Sequence, residues 1–185
     1  MISTGDMKRG ATIELDGRVY QVMDFAHIKM GRGSAQMRMK LRDVRRGDII
    51  ERTFQAGEKW PRVRVERVPM QLSYVDNGMY YFMNTETYDQ VPLTEDQVGD
   101  AKNFLAENGQ CDVLFLGEEA IGIELPASVA LKIVECEPGV KGDTATGATK
   151  PAKLETGLIV NVPLFINEGE TIKVNTSTGE YQERA

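Results

Sequence analysis

Histidine is almost missing from this chain: His27 stands alone among 185 residues. A Ser-His-Asp triad would have to rest on that one imidazole, and a multi-histidine metal site cannot be assembled. A solitary strand histidine is most often a packing or surface residue. Cysteine is scarce as well. Cys111 and Cys136 are far apart, lack metal-ligand spacing, and have apolar neighbours in Val113-Leu114-Phe115 and Ile133-Val134, the pattern of reduced, buried thiols. Neither a GxxxxGK[ST] loop nor a GxGxxG turn occurs, so a bound nucleotide cofactor has no support. No apolar run approaches the roughly 20 residues of a membrane helix. With Asp6 early and no apolar stretch beside it, the N-terminus does not read as a signal peptide. A cytoplasmic protein without membrane contact, metal or cofactor is expected. One reaction class survives: a glycosidase needs only paired carboxylates. Acids in such numbers more often form a solvated face.

What is present is charge, unevenly placed. The net charge is -6, yet residues 1–65 hold 14 Lys and Arg against 8 Asp and Glu, net +6, while residues 66–185 hold 8 against 20, net -12. A basic first third suits a protein that sets one end against phosphates while an acidic remainder keeps it soluble and selective. Small domains also differ in charge by chance, so the spacing of the basic residues matters.

That spacing is strict. In Ala35-Gln36-Met37-Arg38-Met39-Lys40-Leu41-Arg42, alternate side chains of a strand face opposite ways. Ala35, Met37, Met39 and Leu41 should line a core and Arg38, Lys40 and Arg42 form an outward basic row. Just before it, Lys29-Met30-Gly31-Arg32-Gly33-Ser34 sets one arginine between two glycines. So slim a loop can enter a narrow cavity, carrying a guanidinium able to bond or stack on nucleotides. Taken alone, the loop also fits an ordinary turn with a solvated arginine. Its continuity with the row, with Arg45 and Arg46 at the far end, favours RNA phosphates as the ligand.

Elsewhere the pattern is short strands and turns. Ile13–Leu15 and Arg18–Val22 flank Asp16-Gly17, and Gln71–Val75 and Met79–Met83 flank Asp76-Asn77-Gly78, two strong hairpin signals. Strands are expected at 49–54, 63–68, 112–116, 120–125, 130–137, 158–162, 164–166 and 171–174, and around Tyr181. The one helix begins at Thr94 as N-cap, with Gln97 three residues on, Val98, Ala101, Phe104 and Leu105 along one face and Gly109 beyond the end. Residues 140–153 lack apolar periodicity and read as a loop. The fold class is therefore all-β with one short helix: a small barrel of about 60 residues, then two further β modules, the middle one similar to an oligonucleotide/oligosaccharide-binding (OB) barrel.

The segment Lys150-Pro-Ala152-Lys-Leu-Glu-Thr-Gly157-Leu-Ile-Val160-Asn-Val162-Pro163-Leu-Phe-Ile166-Asn-Glu-Gly169 resembles the third-domain signature of the bacterial elongation factor P family. Similar agreement covers Tyr74-Val75-Asp76 through Tyr80-Tyr81-Phe82-Met83, Ile123-Glu124-Leu125-Pro126 and Pro138-Gly139-Val140-Lys141-Gly142-Asp143-Thr144. The resemblance implies three β-barrel domains in series with an elongated, tRNA-like shape: an SH3-like or KOW-like barrel over 1–65, then OB-fold barrels over 66–128 and 129–185. It implies a translation elongation factor, without catalytic residues of its own, that binds the 70S ribosome between the P and E sites. There it would stabilise peptidyl-tRNA and stimulate peptide-bond formation at consecutive prolines.

On that resemblance Arg32 is the functional tip, and Gly31, Gly33 and Ser34 form the loop backbone. Lys29, Arg38, Lys40 and Arg42 meet P-site tRNA or rRNA, while Gly142, Asp143, Thr144, Thr146 and Gly147 form a loop near the exit-site codon. Tyr181 and Arg184 touch the small subunit. Two departures stand out. Many members carry a lysine at the tip that receives a β-lysyl extension, which Arg32 cannot; some arginine-tipped members are rhamnosylated by a glycosyltransferase. Met30 replaces a proline that often precedes the loop glycine. A monomer is expected. The alternatives are an elongation-factor-P-like paralogue and a non-ribosomal OB-fold RNA-binding protein, the latter recognisable by salt-sensitive binding to arbitrary single strands.

Overall fold

The computed structural model describes residues 1–29, 31, 33–139 and 148–185. They form two compact units, one of residues 1–67 with 114–122, the other of residues 68–113 with 123–185. Nearly all the regular structure is antiparallel strand.

The first unit begins with β1 (Ile2–Ser3) and continues through β2 (Thr12–Leu15), β3 (Arg18–Ile28), β4 (Gln36–Asp43), β5 (Ile49–Gln55) and β6 (Lys59–Trp60). The sheet order is β2-β3-β4-β5, with β1 paired to β6. Asp16 and Gly17 turn β2 into β3 with φ of 53° and 75°, the two left-handed residues of a type I′ hairpin. A bulge in β3 between Val22 and Asp24 bends the long strand around the core. That core holds Ile13, Val22, Met37, Met39, Leu41 and an edge-to-face pair, Phe54 and Trp60, with centroids 4.8 Å apart. Ala35 departs from the expected inward row. It is exposed and precedes β4, its carbonyl accepting from Ala56 N at 2.9 Å. Residues 63–65 likewise lie outside any strand, and β7 starts only at Glu66.

The next sheet contains β7 (Glu66–Asp76), β8 (Met79–Met83), β9 (Gln90–Thr94), β10 (Gln110–Leu116) and β11 (Glu119–Glu124), in the order β11-β10-β7-β8-β9. Asn77 and Gly78, with φ of 48° and 75°, repeat the hairpin chemistry. Thr94 caps α1 (Glu95–Val98) through a full capping box with Gln97. The helix stops after one turn because Gly99, at φ 60° and ψ -141°, takes a conformation outside the helical region. Residues Gly99–Phe104 then continue as a 3-10 turn, so the single helix expected through Leu105 is replaced by two short pieces. Cys111 is buried among these strands and its thiol is pushed up to about 12 by desolvation, with Asp112 adding to it; both cysteines are free.

The last sheet contains β12 (Ser128–Cys136), β13 (Thr149–Leu154), β14 (Ile159–Pro163), β15 (Thr171–Asn175) and β16 (Tyr181–Arg184), ordered β14-β13-β12-β15-β16. Residues 149–153 therefore belong to a strand, not to the loop that composition suggested. The period of two is there, but Lys150 occupies a buried position beside Ala152 and Leu154, and Pro151 faces outward. A lysine inside and a proline outside disguise the alternation. Conversely, residues 164–166 form no strand, although Ile166 is fully buried in the same core as Leu131, Ile133, Leu154, Ile172 and Val174. Within the second unit this core is continued by Phe104 and Ala106, and Thr156 Oγ1 donates to Asn103 O at 2.6 Å. The 3-10 turn after α1 thus packs on the last sheet.

Phe82 is fully buried in the β7–β11 sheet, and Phe82→Ala is expected to destabilise the protein by about 3–5 kcal/mol. Urea unfolding would show it as a fall in midpoint; an unchanged midpoint would contradict this packing.

Candidate nucleic-acid interface

Alternation in β4 is enforced by burial. Met37, Met39 and Leu41 are at most 1% exposed, so Arg38, Lys40 and Arg42 must point away from the core, and all three are exposed. The neighbouring strands decide what each cation meets. Arg38 lies between Ala26 and Thr53, Lys40 between Asp24 and Glu51, and Arg42 between Gln21 and Ile49. The row is thus not uniformly basic: its middle residue is flanked by two carboxylates, with a shallow cleft beside Asp24, Arg38, Lys40 and Glu51. Asp24 also accepts from Arg9 Nε at 2.9 Å and from the Phe25 amide at 3.0 Å. Those bonds, Arg9 foremost, hold its carboxyl below the ordinary 3.8.

Beyond the last β3–β4 pair, Ile28 opposite Gln36, the connection carries Lys29, Gly31, Gly33 and Ser34, all exposed. Gly31 has φ 32° and open space where a Cβ would stand. Arg32 lies outside the described residues. At the opposite end of β4, Asp43 is buried and its Oδ1 accepts from the amides of Arg45 and Arg46 at 2.9 and 3.0 Å, while Gly47 N donates to its carbonyl at 2.8 Å. This turn fixes where the two arginines sit. Arg45 Nη2 reaches Glu119 Oε2 at 2.9 Å inside the same unit. Sequence reading missed Asp43, although Asp ahead of Arg-Arg-Gly is a turn signal.

Gly142, Asp143, Thr144, Thr146 and Gly147 also lie outside the described residues. The flanks of that segment are described and tightly held. Lys150 Nζ, on a side chain only 7% exposed, donates to Glu137 O at 2.6 Å, and a Cβ on Gly139 would stand 2.7 Å from Leu164 O. At the other edge of this sheet Tyr181 is half-buried against the core. Arg184 is exposed but engaged: its guanidinium lies 5.0 Å from the centre of the Phe165 ring, Nη2 donates to Phe165 O at 3.3 Å, and Nε sits 3.4 Å from Glu170 Oε2. The described site residues therefore fall into a β3–β4 group, Lys29, Gly31, Gly33, Ser34, Arg38, Lys40 and Arg42, and a pair on β16, Tyr181 and Arg184. Among the described residues no three His, Cys, Asp or Glu side chains gather as a metal site, and no helix is long and apolar enough to cross a membrane.

Three family models cover the chain: "Elongation factor P (EF-P) KOW-like domain" over residues 3–60, "Elongation factor P (EF-P) OB domain" over 65–123, and "Elongation factor P, C-terminal" over 129–184. Proteins named Elongation factor P from Symbiobacterium thermophilum and Moorella thermoacetica are 54% and 56% identical to it over 185 residues, 100% of this chain and of each relative. The chain belongs to the elongation factor P family. Members are translation elongation factors, not enzymes of an ordinary kind, and the ribosome is the partner that membership implies. A solved structure titled "Eukaryotic translation initiation factor 5A from Methanococcus jannaschii" matches at TM-score 0.51 and 20% identity, covering 67% of this chain and 91% of that one. That likeness concerns the fold, and it agrees with a KOW-like barrel followed by OB-type sheets.

Two outcomes follow from the geometry. Asp24 has a depressed folded value, so its contribution to stability is present above 3.8 and lost as pH falls through that lower value. In Arg9→Gln its titration, followed by carbon NMR, should move up toward 3.8; no movement would show that Arg9 is not the cause. Gly139→Ala forces a methyl onto the Leu164 carbonyl and should destabilise the protein by about 1–3 kcal/mol, read as a lower thermal midpoint.

Proposed function

We propose that this protein binds the 70S ribosome between the P and E sites and sets the β3–β4 hairpin against the acceptor end of peptidyl-tRNA when synthesis stalls at consecutive prolines. The carrying observation is the hairpin itself. A connection of small exposed residues around position 32 leads into a strand with a buried aliphatic and thioether face, in a chain more than half identical to named members over its full length. Arg38 and Arg42 meet tRNA or rRNA phosphates beside Lys29, with Lys40 acting only where Asp24 and Glu51 are displaced or outweighed. The modules are 1–65, 66–128 and 129–185, the protein is cytoplasmic and monomeric, and Tyr181 with the segment holding Gly142, Asp143, Thr144, Thr146 and Gly147 serves the small-subunit side. Arg184, engaged by Phe165 and Glu170, contributes there by holding the end of β16 in place.

The factor supplies position, and the bond chemistry stays with the ribosome. Proline is a poor nucleophile and a rigid donor, so fixing the tRNA end and nascent chain in an attack-ready geometry lowers the barrier by removing unproductive freedom. A guanidinium suits this task because it stays charged and its planar fork bonds phosphate and stacks on bases. Rhamnosylation of Arg32 by a dedicated glycosyltransferase would extend its reach; mass spectrometry of the native protein distinguishes a deoxyhexose from a bare arginine.

Arg32→Ala should abolish the stimulation of proline-proline-proline synthesis on cognate ribosomes while shifting stability by less than about 0.5 kcal/mol. Full stimulation by the variant would remove Arg32 from the mechanism.

A further inference from the structure

The outward face of strands β7, β8 and β9 carries aromatic groups that the proposed function leaves without a task. Successive strand residues face opposite ways, so fully buried Phe82 puts its neighbour Tyr81 on the solvent side. The register partners of Tyr81, Tyr74 on β7 and Pro92 on β9, lie on that side too. Both are exposed, and Leu93 beside Pro92 is fully buried. A bulge between Leu72 and Tyr74 is what brings Tyr74 out: the two residues are two apart in sequence, yet Leu72 is 3% exposed and Tyr74 46%. The tyrosine rings stack, with centroids 4.5 Å apart and planes 14° from parallel. Met79 and Met83 continue the same side of β8 before and after Tyr81.

A third tyrosine lies in the turn between β8 and β9. Asn84 Oδ1 accepts from the amides of Glu86 and Thr87 at 2.8 and 3.3 Å, and Tyr88 N donates to Asn84 O at 2.8 Å. The turn holds Tyr88 at φ 61° and 72% exposed, a left-handed conformation that bulky residues seldom take. The surroundings are acidic. Residues 68–113 carry eight Asp and Glu against one basic residue, Lys102, which already donates to Glu95. Asp76 pairs with Met79 at one end of the face, and Asp89 directly precedes β9 at the other.

OB sheets that take single-stranded RNA combine stacking rings with a basic groove that tracks the backbone. Here the rings are present and carboxylates stand where the cations would be, so phosphates are repelled. An arginine-bearing polypeptide meets both features. A guanidinium stacks on a tyrosine face, its stem lies along thioether and aromatic carbon, and the carboxylates balance its charge. The chain makes such a contact within itself, Arg184 lying 5.0 Å from the centre of the Phe165 ring. Tyrosine and methionine are enriched at protein interfaces, and rings already locked in a stack lose little freedom on binding. We infer that the Tyr74–Tyr81 face of strands β7 to β9 docks an arginine-rich segment of a partner protein. The inference stands on the second unit alone and does not depend on the role proposed for the β3–β4 hairpin.

The test uses the full-length protein and a fluorescent peptide of about 12 residues alternating Arg and Ser, long enough at about 3.3 Å per residue to cross the three strands. Binding is followed by anisotropy. Tyr74→Ala with Tyr81→Ala should weaken it about tenfold or more, about 1.4 kcal/mol, whereas Tyr74→Phe with Tyr81→Phe should stay within about twofold of the unaltered protein. Replacing Arg by Lys in the peptide should weaken binding to the unaltered protein and make no difference to the alanine variant. The ring resonances of Tyr74 and Tyr81 in the unaltered protein should shift as peptide is added, a readout that needs no variant to fold. Unchanged affinity in the alanine variant, or rings that do not respond, would overturn the proposal. So would a single-stranded oligouridine that binds the protein and loses about tenfold in affinity in the alanine variant, since the face would then be a base-stacking platform. Peptide synthesis is not measured, so failure here leaves the hairpin reading untouched.

Discussion

Burial of Met37, Met39 and Leu41 between β3 and β5 is the constraint on which the rest of the first unit depends. A strand with one face sealed against a core has no freedom over the other, because a slip of one residue would expose every buried side chain. The register of β4 therefore fixes the direction of Arg38, Lys40 and Arg42 and the place where the β3–β4 connection leaves the sheet. Stability draws on one face of this alternation, and the proposed RNA contacts draw on the other.

The electrostatics of that face are set by cross-strand neighbours. Asp24 and Glu51 flank Lys40, whereas the direct cross-strand neighbours of Arg38 and Arg42 are uncharged. The overall -6 is compatible with an RNA partner because attraction is local. At physiological salt, charges on the acidic remainder act over only about 8 Å, while an arginine in contact with phosphate is hardly screened by them.

Much of this was legible in the sequence because it rests on local rules. Asp16-Gly17 and Asn77-Gly78 demand left-handed φ values, and Thr94 with Gln97 demands a capped helix start; each appears in place. The misreadings share a cause, tertiary context overriding local pattern. Ala35 continues the alternation in sequence but lies outside the strand. Lys150 interrupts the apolar period of β13 because its amine finds Glu137 O inside the fold. Phe104 sits at helical spacing but packs on the last sheet after Gly99 breaks the helix. The candidate site was legible as residues, whereas the carboxylates at Lys40, the buried Asp43 under Arg45 and Arg46, and the engagement of Arg184 required strand register and side-chain geometry.

The central claim is that the end of the β3–β4 hairpin meets the acceptor end of a ribosome-bound tRNA. Electron cryo-microscopy of the protein on a 70S ribosome stalled at consecutive prolines, with peptidyl-tRNA in the P site, tests it most directly. The account predicts density for residues 29–35 against the terminal nucleotides of that tRNA. A bound factor whose hairpin faces solvent, or contacts only ribosomal protein, would contradict it.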